Sequence, residues 1–443
     1  MSLLATAPAV GGLFFPQSKS LGIDLTEHSP AVQQMIVYAG RVATSFANAA
    51  DLLENLTRLG VPIKQVERLT RQIGTERVAQ RDAAVADFQA LPLVQKFDAP
   101  AGVEPPELAC VFVDGGRLQI RERTEAADEP TQNQEQDWEP EKPGKGFWRE
   151  DKIALLAQMA SASSAVDPCP EVPQGFLDVL RIPILARELG KVAASGECAA
   201  EEISTRPLTE ELAERESVYE PPQMQQRTVL GSCQAWPLFA SMVAQAAWAA
   251  GYHKARRKAF VADGAANNWR LQKRFFGSFV PVLDFIHALS YVFAAATAGR
   301  PFGAGWECYG RWIKWVWKGE VSKVIEELRK RQEEVGKPTK EESESSVASV
   351  VARGLGYLSN HQDKMKYDEY RQEGLPITSS VMESTVKQMN YRVKGSEKFW
   401  CQQGAEAIVQ LRADHLSDNA PLEQFFQQRQ AHATGQRRYR RVG

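Results

Sequence analysis

Two short apolar runs in this 443-residue chain end alike. CVFVDGG (110–116) and FVADG (260–264) each bring an aspartate, Asp114 or Asp263, to the end of a strand-length run, with glycine directly behind it. Glycine there lets the backbone turn sharply and leaves the carboxylate exposed. A third run, VPVLDFIHALSYVFAAA (280–296), passes from a strand into a helix and holds Asp284 and His287 inside an apolar stretch. Their spacing of three places both on one helical turn. Such groups are costly to bury unpaired, so each needs a partner. Strand and helix patterns alternate through residues 105–298, which specifies an α/β sheet with its chemistry at the strand termini.

The other regions differ in pattern. Residues 30–90 read as helices. One is expected to end at Gly60, and the next to start near Pro62 with Val66, Leu69 and Ile73 as its apolar stripe. Lys64, Arg68 and Arg71 form a second stripe, which fits either the recognition helix of a helix-turn-helix or an ordinary solvated helix face. Residues 124–146 hold seven acids before their first lysine and read as a solvated loop. Residues 170–225 read as a helical insert, and 299–372 as further helices with Trp306, Trp312, Trp315 and Trp317 near the start. Those tryptophans suit a core, or stacking on an unpaired base.

Composition removes several classes. The 43% apolar and 24% charged content is that of a globular chain. A net charge of −2 leaves any nucleic-acid contact to local patches. Six cysteines without a CxxC pair argue against a disulfide framework and a structural zinc site, and point to a reducing cytoplasm. The N-terminal residues lack a basic stretch and are broken by Gly and Pro, so neither a signal peptide nor a membrane span is expected. One patch is strongly basic: the tail carries Arg437, Arg438, Arg440 and Arg441 with no acid after residue 423, and reads as a flexible grip on phosphates or as a solvated terminus.

A third acid, Glu383, lies in GLPITSSVMEST (374–385), where Ser379 and Ser380 are expected to cap a helix. On it Glu383, Lys387, Asn390 and Lys394 form one stripe, with Arg392 beside it. This suits a salt-bridged face, or a metal ligand followed by contacts to phosphates. Two strand-end acids and a helix-borne acid are what two-metal phosphoryl transfer needs, with Mg²⁺ held by carboxylate oxygens.

VFVDGG, FVADGAANNW, LDFIHAL and the segment from GLPITSSVMEST to YRVKGSEKFW resemble the DDE transposases of bacterial insertion sequences, of the ISKra type related to Mutator-like transposases. The resemblance covers most of residues 40–415. It implies an RNase H-like core with an all-helical insertion (299–372) before the final glutamate, preceded by a helix-turn-helix-like N-terminal region (1–100). The core then comprises 105–298 and the Glu383 helix region 373–415, with 416–443 as a basic tail. It implies Asp114, Asp263 and Glu383 as catalytic residues holding two Mg²⁺ ions, which Mn²⁺ can replace. Asp284 and His287 match a motif beside that cluster. The implied activity is cleavage and strand transfer at transposon ends by a dimer or larger oligomer on DNA, with no membrane, in the cytoplasm near the nucleoid. An RNase H-like nuclease without strand transfer, and a non-catalytic DNA-binding protein on the same fold, are the alternatives. The DNA contacts are expected from Lys64, Arg68, Arg71, Lys387, Asn390, Arg392, Lys394 and the four tail arginines.

Overall fold

The computed structural model describes residues 28–121, 138, 147–190, 219–339, 341–395 and 397–434, with the backbone of a small ladder pairing Ala5–Thr6 with Leu13–Phe14. Arg437, Arg438, Arg440 and Arg441, the acidic loop apart from Trp138, and residues 191–218 of the expected helical insert lie outside the described residues.

A mixed sheet is built on β1 (Leu108–Ile120). β2 (Trp148–Ala160) and β3 (Gln223–Ser232) extend it antiparallel on one side. β4 (Arg257–Ala262) and β5 (Val280–Leu283) extend it parallel on the other, giving the order β3-β2-β1-β4-β5. A two-residue strand, β6 (Phe399–Trp400), pairs with the far end of β1. Both faces of β1 are covered, which is why it reads as an unbroken apolar run. Leu108, Cys110 and Phe112 join one core, and Ala109, Val111 and Val113 join the other. Helices α5 (Trp236–Ala249) and α6 (Ala266–Phe275) cover the second face. The first is covered by α4 (Arg181–Glu188), α7 (Phe285–Thr297), α12 (Ser380–Val393) and α13 (Gln402–Leu416).

Two expectations about this sheet need correction. β1 does not end at Asp114; it runs six residues further, because β2 stays paired with it from Leu108 to Gln119. What ends there is the parallel ladder, whose last pair is Val113 with Ala262. Residues 223–225, expected in a helical insert, begin β3. As an edge strand with an exposed polar start it shows little apolar alternation before Val229. Within the described part of that insert, α4 is helical.

Ahead of the sheet come α1 (Pro30–Val42), α2 (Phe46–Thr57) and α3 (Ile63–Ala90). α2 stops at Thr57, not at Gly60, because Arg58 takes the left-handed conformation and returns its N–H to Glu54 O at 3.0 Å. α3 starts after Pro62, and Val66, Leu69 and Ile73 are buried as expected. It then continues along α13. Arg77 binds Asp414 at 2.8 Å, and Arg81 binds Glu406 at 2.7 Å. Glu406 also accepts from Ser232 Oγ and the Cys233 N–H, both at 2.7 Å. One buried carboxylate therefore joins α3, β3 and α13. Glu406→Ala leaves Arg81 with Asp82 and Gln410 but removes the acceptor of Ser232 Oγ and the Cys233 N–H, and is expected to cost about 2–3 kcal/mol, read as a shift in the chemical denaturation curve.

Residues 302–372 form α8 (Phe302–Trp317), α9 (Val321–Val335), α10 (Val347–His361) and α11 (Tyr367–Gln372). Trp312 and Trp317 are core residues, and Trp317 donates to Cys169 O at 2.7 Å. Trp306 and Trp315 pack half-buried against the same core. Among the described residues no helix is long and apolar enough to cross a membrane. The five described cysteines carry free thiols.

Candidate active site

Strand register brings the first two acids together. Val113 pairs with Ala262 as the last rung of the parallel ladder, so the next residues, Asp114 and Asp263, leave it side by side. Asp114 lies on the β1 face that carries Cys110 and Phe112, under α7 and α12. Its Oδ1 accepts the Gly115 N–H at 2.7 Å. Asp263 Oδ1 accepts the Ala265 N–H at 2.9 Å and Asn268 Nδ2 at 2.8 Å. Gly264 permits a further close approach: a Cβ there would lie 2.3 Å from the Tyr357 ring and 3.1 Å from His361 Nε2. α10 of the inserted helices thus packs directly behind Asp263.

Asp284 explains its place in an apolar run. It is fully buried and fully used. Its backbone N–H donates to Ala262 O at 2.9 Å, fixing it beside Asp263. As the N-cap of α7 its Oδ2 accepts the His287 N–H at 3.2 Å and meets His287 Nδ1 at 2.6 Å. Its Oδ1 accepts the Ser379 N–H at 2.8 Å, at the start of α12. The Phe285 N–H donates to Ile377 O at 2.9 Å. The serine cap expected for α12 is not made: Ser379 is the N-cap residue but its side chain makes no capping bond, and Asp284 instead anchors the Ser379 N–H just ahead of the helix. One aspartate locks the starts of α7 and α12 to each other and to the end of β4.

Glu383 lies in the first turn of α12, half-buried, with Oε1 buried and unbonded. Burial raises its pKa, as does the charge of Asp284, while His287 and Lys387 pull it back. Burial and the charge of Asp263 push Asp114 up to about 7. Burial opposes a charge on His287. The hydrogen bond and charge of Asp284, with Asp263 and Asp114, outweigh that and raise the imidazole to about 9. The His287 imidazole thus opposes the negative charge of Asp114 and Glu383.

The remaining predicted residues separate. Lys64 and Arg68 are exposed near the start of α3, and Arg68 donates to Gln65. Arg71 is paired with Glu67 at 3.1 Å. Lys387 and Lys394 are exposed. Arg392 corrects the expected stripe: it is buried, donates to Gly40 O at 3.0 Å and lies over the Phe46 and Trp400 rings, so it ties α12 to the N-terminal helices and cannot reach DNA. Asn390 turns its amide oxygen inward, against Gly116, not outward to a phosphate. Sequence reasoning passed over Asn268, Tyr357 and His361. The NN of GAANNW, five residues past Asp263, was the available signal for Asn268.

The donors suit a hard dication. They are carboxylate oxygens, one is buried without a partner, and two of the three acids are held above their ordinary values by burial and by the charge of a neighbouring aspartate, Asp263 for Asp114 and Asp284 for Glu383. Among the described residues no three His, Cys, Asp or Glu side chains already close on a single point. No protein-family model matches the chain, and no curated protein matches it in sequence.

The shifts predict how stability responds to pH. An acid with a raised folded pKa binds its proton more tightly in the folded chain, so Asp114 removes stability as pH rises from about 4 to 7. His287 contributes stability that is complete below about 6.5 and is lost as pH rises through 9. Asp114→Asn is therefore expected to stabilise the metal-free protein at pH 8 by on the order of 2 kcal/mol, with little effect at pH 4. Thermal unfolding of both proteins in chelator at the two pH values checks this.

Proposed function

We propose that the chain is an Mg²⁺-dependent DNA transposase of the DDE type, built on an RNase H-like core with residues 299–372 as its helical insertion. The observation that carries this reading is the convergence of Asp114 and Asp263 where the parallel ladder of two adjacent central strands ends, with the Asp284–His287 pair that also holds the start of the Glu383 helix. Acids on adjacent parallel strands of a mixed sheet, followed by a helical insertion and a third acid on a helix, support that architecture over a simple binding module.

Asp114, Asp263 and Glu383 would hold the ions. When bound, these stabilise the entering and leaving oxygens of an in-line displacement at phosphorus. The protein supplies the rest. Asn268 and the Ala265 N–H fix one oxygen of Asp263, so the carboxylate is oriented before any ligand arrives. Asp284 holds the His287 ring in place beside the acids. Lys387 and Lys394, exposed on or just past the Glu383 helix, suit contacts to the phosphate backbone. In the first reaction water forms the new bond to phosphorus and the bond to the 3′ oxygen breaks, leaving a 3′-hydroxyl. In the second that hydroxyl attacks a target phosphodiester, and a target 3′ oxygen leaves. The dication requirement and the oxygen ligands follow from the same site in both.

The test uses the full chain with duplex DNA bearing the terminal sequences that flank its gene. The expected result is Mg²⁺-dependent nicking followed by joined products. Nicking without joining would favour a nuclease, and tight binding with neither would favour a non-catalytic DNA-binding protein.

A further inference from the structure

Among the buried polar groups without a hydrogen-bond partner, two outside the acid cluster lie against the same glycine. Asp151 on β2 is fully buried with no other residue bonded to its carboxylate oxygens, and Asn390 on α12 has its Oδ1 buried and unbonded. Both face one point. Asp151 stands opposite Gly116 in the β1–β2 ladder, and a Cβ on Gly116 would lie 2.8 and 3.1 Å from its two oxygens and 3.2 Å from Asn390 Oδ1. The second glycine of VFVDGG thus makes room for this pair. Directly opposed residues and residues two apart share a face, so Asp151 lies on the same side of the sheet as Asp114.

A carboxylate and an amide oxygen do not rest together in the interior without a hydrogen between them. Two sources exist. The Asn390 amide can turn to present its NH₂ to Asp151, or Asp151 can carry a proton. Burial raises the Asp151 carboxyl to about 6, with its own backbone N–H, Lys152 and Lys394 opposing the rise and Glu150 adding to it, so its proton is available just below neutral pH. Either source supplies the hydrogen that a bond across Gly116 needs.

We infer that Asp151 and Asn390 form a buried clamp that sets the register of α12 against β1 and so positions Glu383, two helical turns before Asn390. The clamp complements Asp284, which fixes only the start of α12. With both in place the helix is held on either side of Glu383. The inference rests on reading Glu383 as an ion ligand, and gives Asp151 and Asn390 a positioning role without contact to substrate.

The test pairs amide hydrogen exchange at residues 382–386 with Mn²⁺ binding, followed by spin resonance without DNA. Asn390→Ala, at a helical site that tolerates alanine, and Gly116→Ala, which drives a methyl into the pair, are the disrupting variants. Each is expected to speed exchange in this turn roughly tenfold, and to raise the Mn²⁺ concentration for half-occupancy roughly 10–100-fold, as when a metal ligand loses its support. Asp151→Asn supplies its own NH₂ to the Asn390 oxygen and is expected to keep wild-type exchange and Mn²⁺ binding. Unchanged exchange in Asn390→Ala overturns the clamp. Faster exchange with unchanged Mn²⁺ affinity overturns the positioning role and leaves a structural pair. A wild-type chain that binds no Mn²⁺ removes the ligand reading of Glu383 itself, and with it the positioning role, while the exchange result still decides whether the clamp exists.

Discussion

Asp263→Asn is expected to lower Mg²⁺-dependent DNA cleavage by at least about a thousandfold while leaving DNA affinity and the unfolding midpoint near wild type. The size follows from the role. A metal ion supplies several kcal/mol of charge stabilisation to the displacement, and each 1.4 kcal/mol lost is a factor of ten in rate. The selectivity follows from the surroundings. Asn keeps an Oδ1 that can accept from the Ala265 N–H and Asn268 Nδ2, so the turn after β4 is preserved. Only the negative charge disappears. The check is a single-turnover cleavage assay beside a binding titration on the same DNA. Lost binding with residual cleavage would make Asp263 a structural residue.

The second large effect belongs to Asp284. Its carboxylate accepts the Ser379 N–H and the His287 N–H and pairs with the His287 ring. Asp284→Ala leaves two buried donors without an acceptor, at about 1–3 kcal/mol each, and removes the cap of α7. It is expected to destabilise the chain by on the order of 3 kcal/mol and to slow cleavage by about a hundredfold, because both helix starts around the acids loosen together. Asp284→Asn separates the two roles. An amide oxygen still accepts the Ser379 N–H, so most of the stability returns. The negative charge does not, and the His287 titration falls from about 9 toward the ordinary imidazole value near 6.5. NMR titration of the ring reads that fall directly.

What the sequence disclosed, and what it hid, divides along physical lines. Asp114 and Asp263 were legible because strands buried on both faces read as continuous apolar runs, and a carboxylate that closes such a run breaks the pattern sharply, even where, as at Asp114, the strand itself goes on. Asp284 and His287 were legible as a pair because the cost of burying them alone demands a partner. The partner on the other side, the Ser379 N–H, was not legible: it is a backbone group 95 residues away, and backbone donors leave no mark in a sequence. The same limit applies to Arg392. Its spacing on α12 matched a phosphate-contacting stripe, but the rings of Phe46 and Trp400 and the carbonyl of Gly40 claim it through tertiary packing. β3 was hidden for a different reason. An edge strand with a wet start needs few apolar residues, so residues 223–228 look like any polar segment. The second glycine after Asp114 looked like part of a turn, whereas β1 runs straight through it and the space it leaves is filled by Asp151 and Asn390.

The central claim is that Asp114, Asp263 and Glu383 together bind divalent cations for chemistry on DNA. Mn²⁺ binding measured by spin resonance on the wild-type chain and on Asp114→Asn, Asp263→Asn and Glu383→Gln, each with and without end DNA, tests it most directly. The account predicts up to two ions per wild-type chain in the presence of DNA, and weaker or lost binding in every variant. Wild-type Mn²⁺ binding that survives all three substitutions unchanged would contradict it.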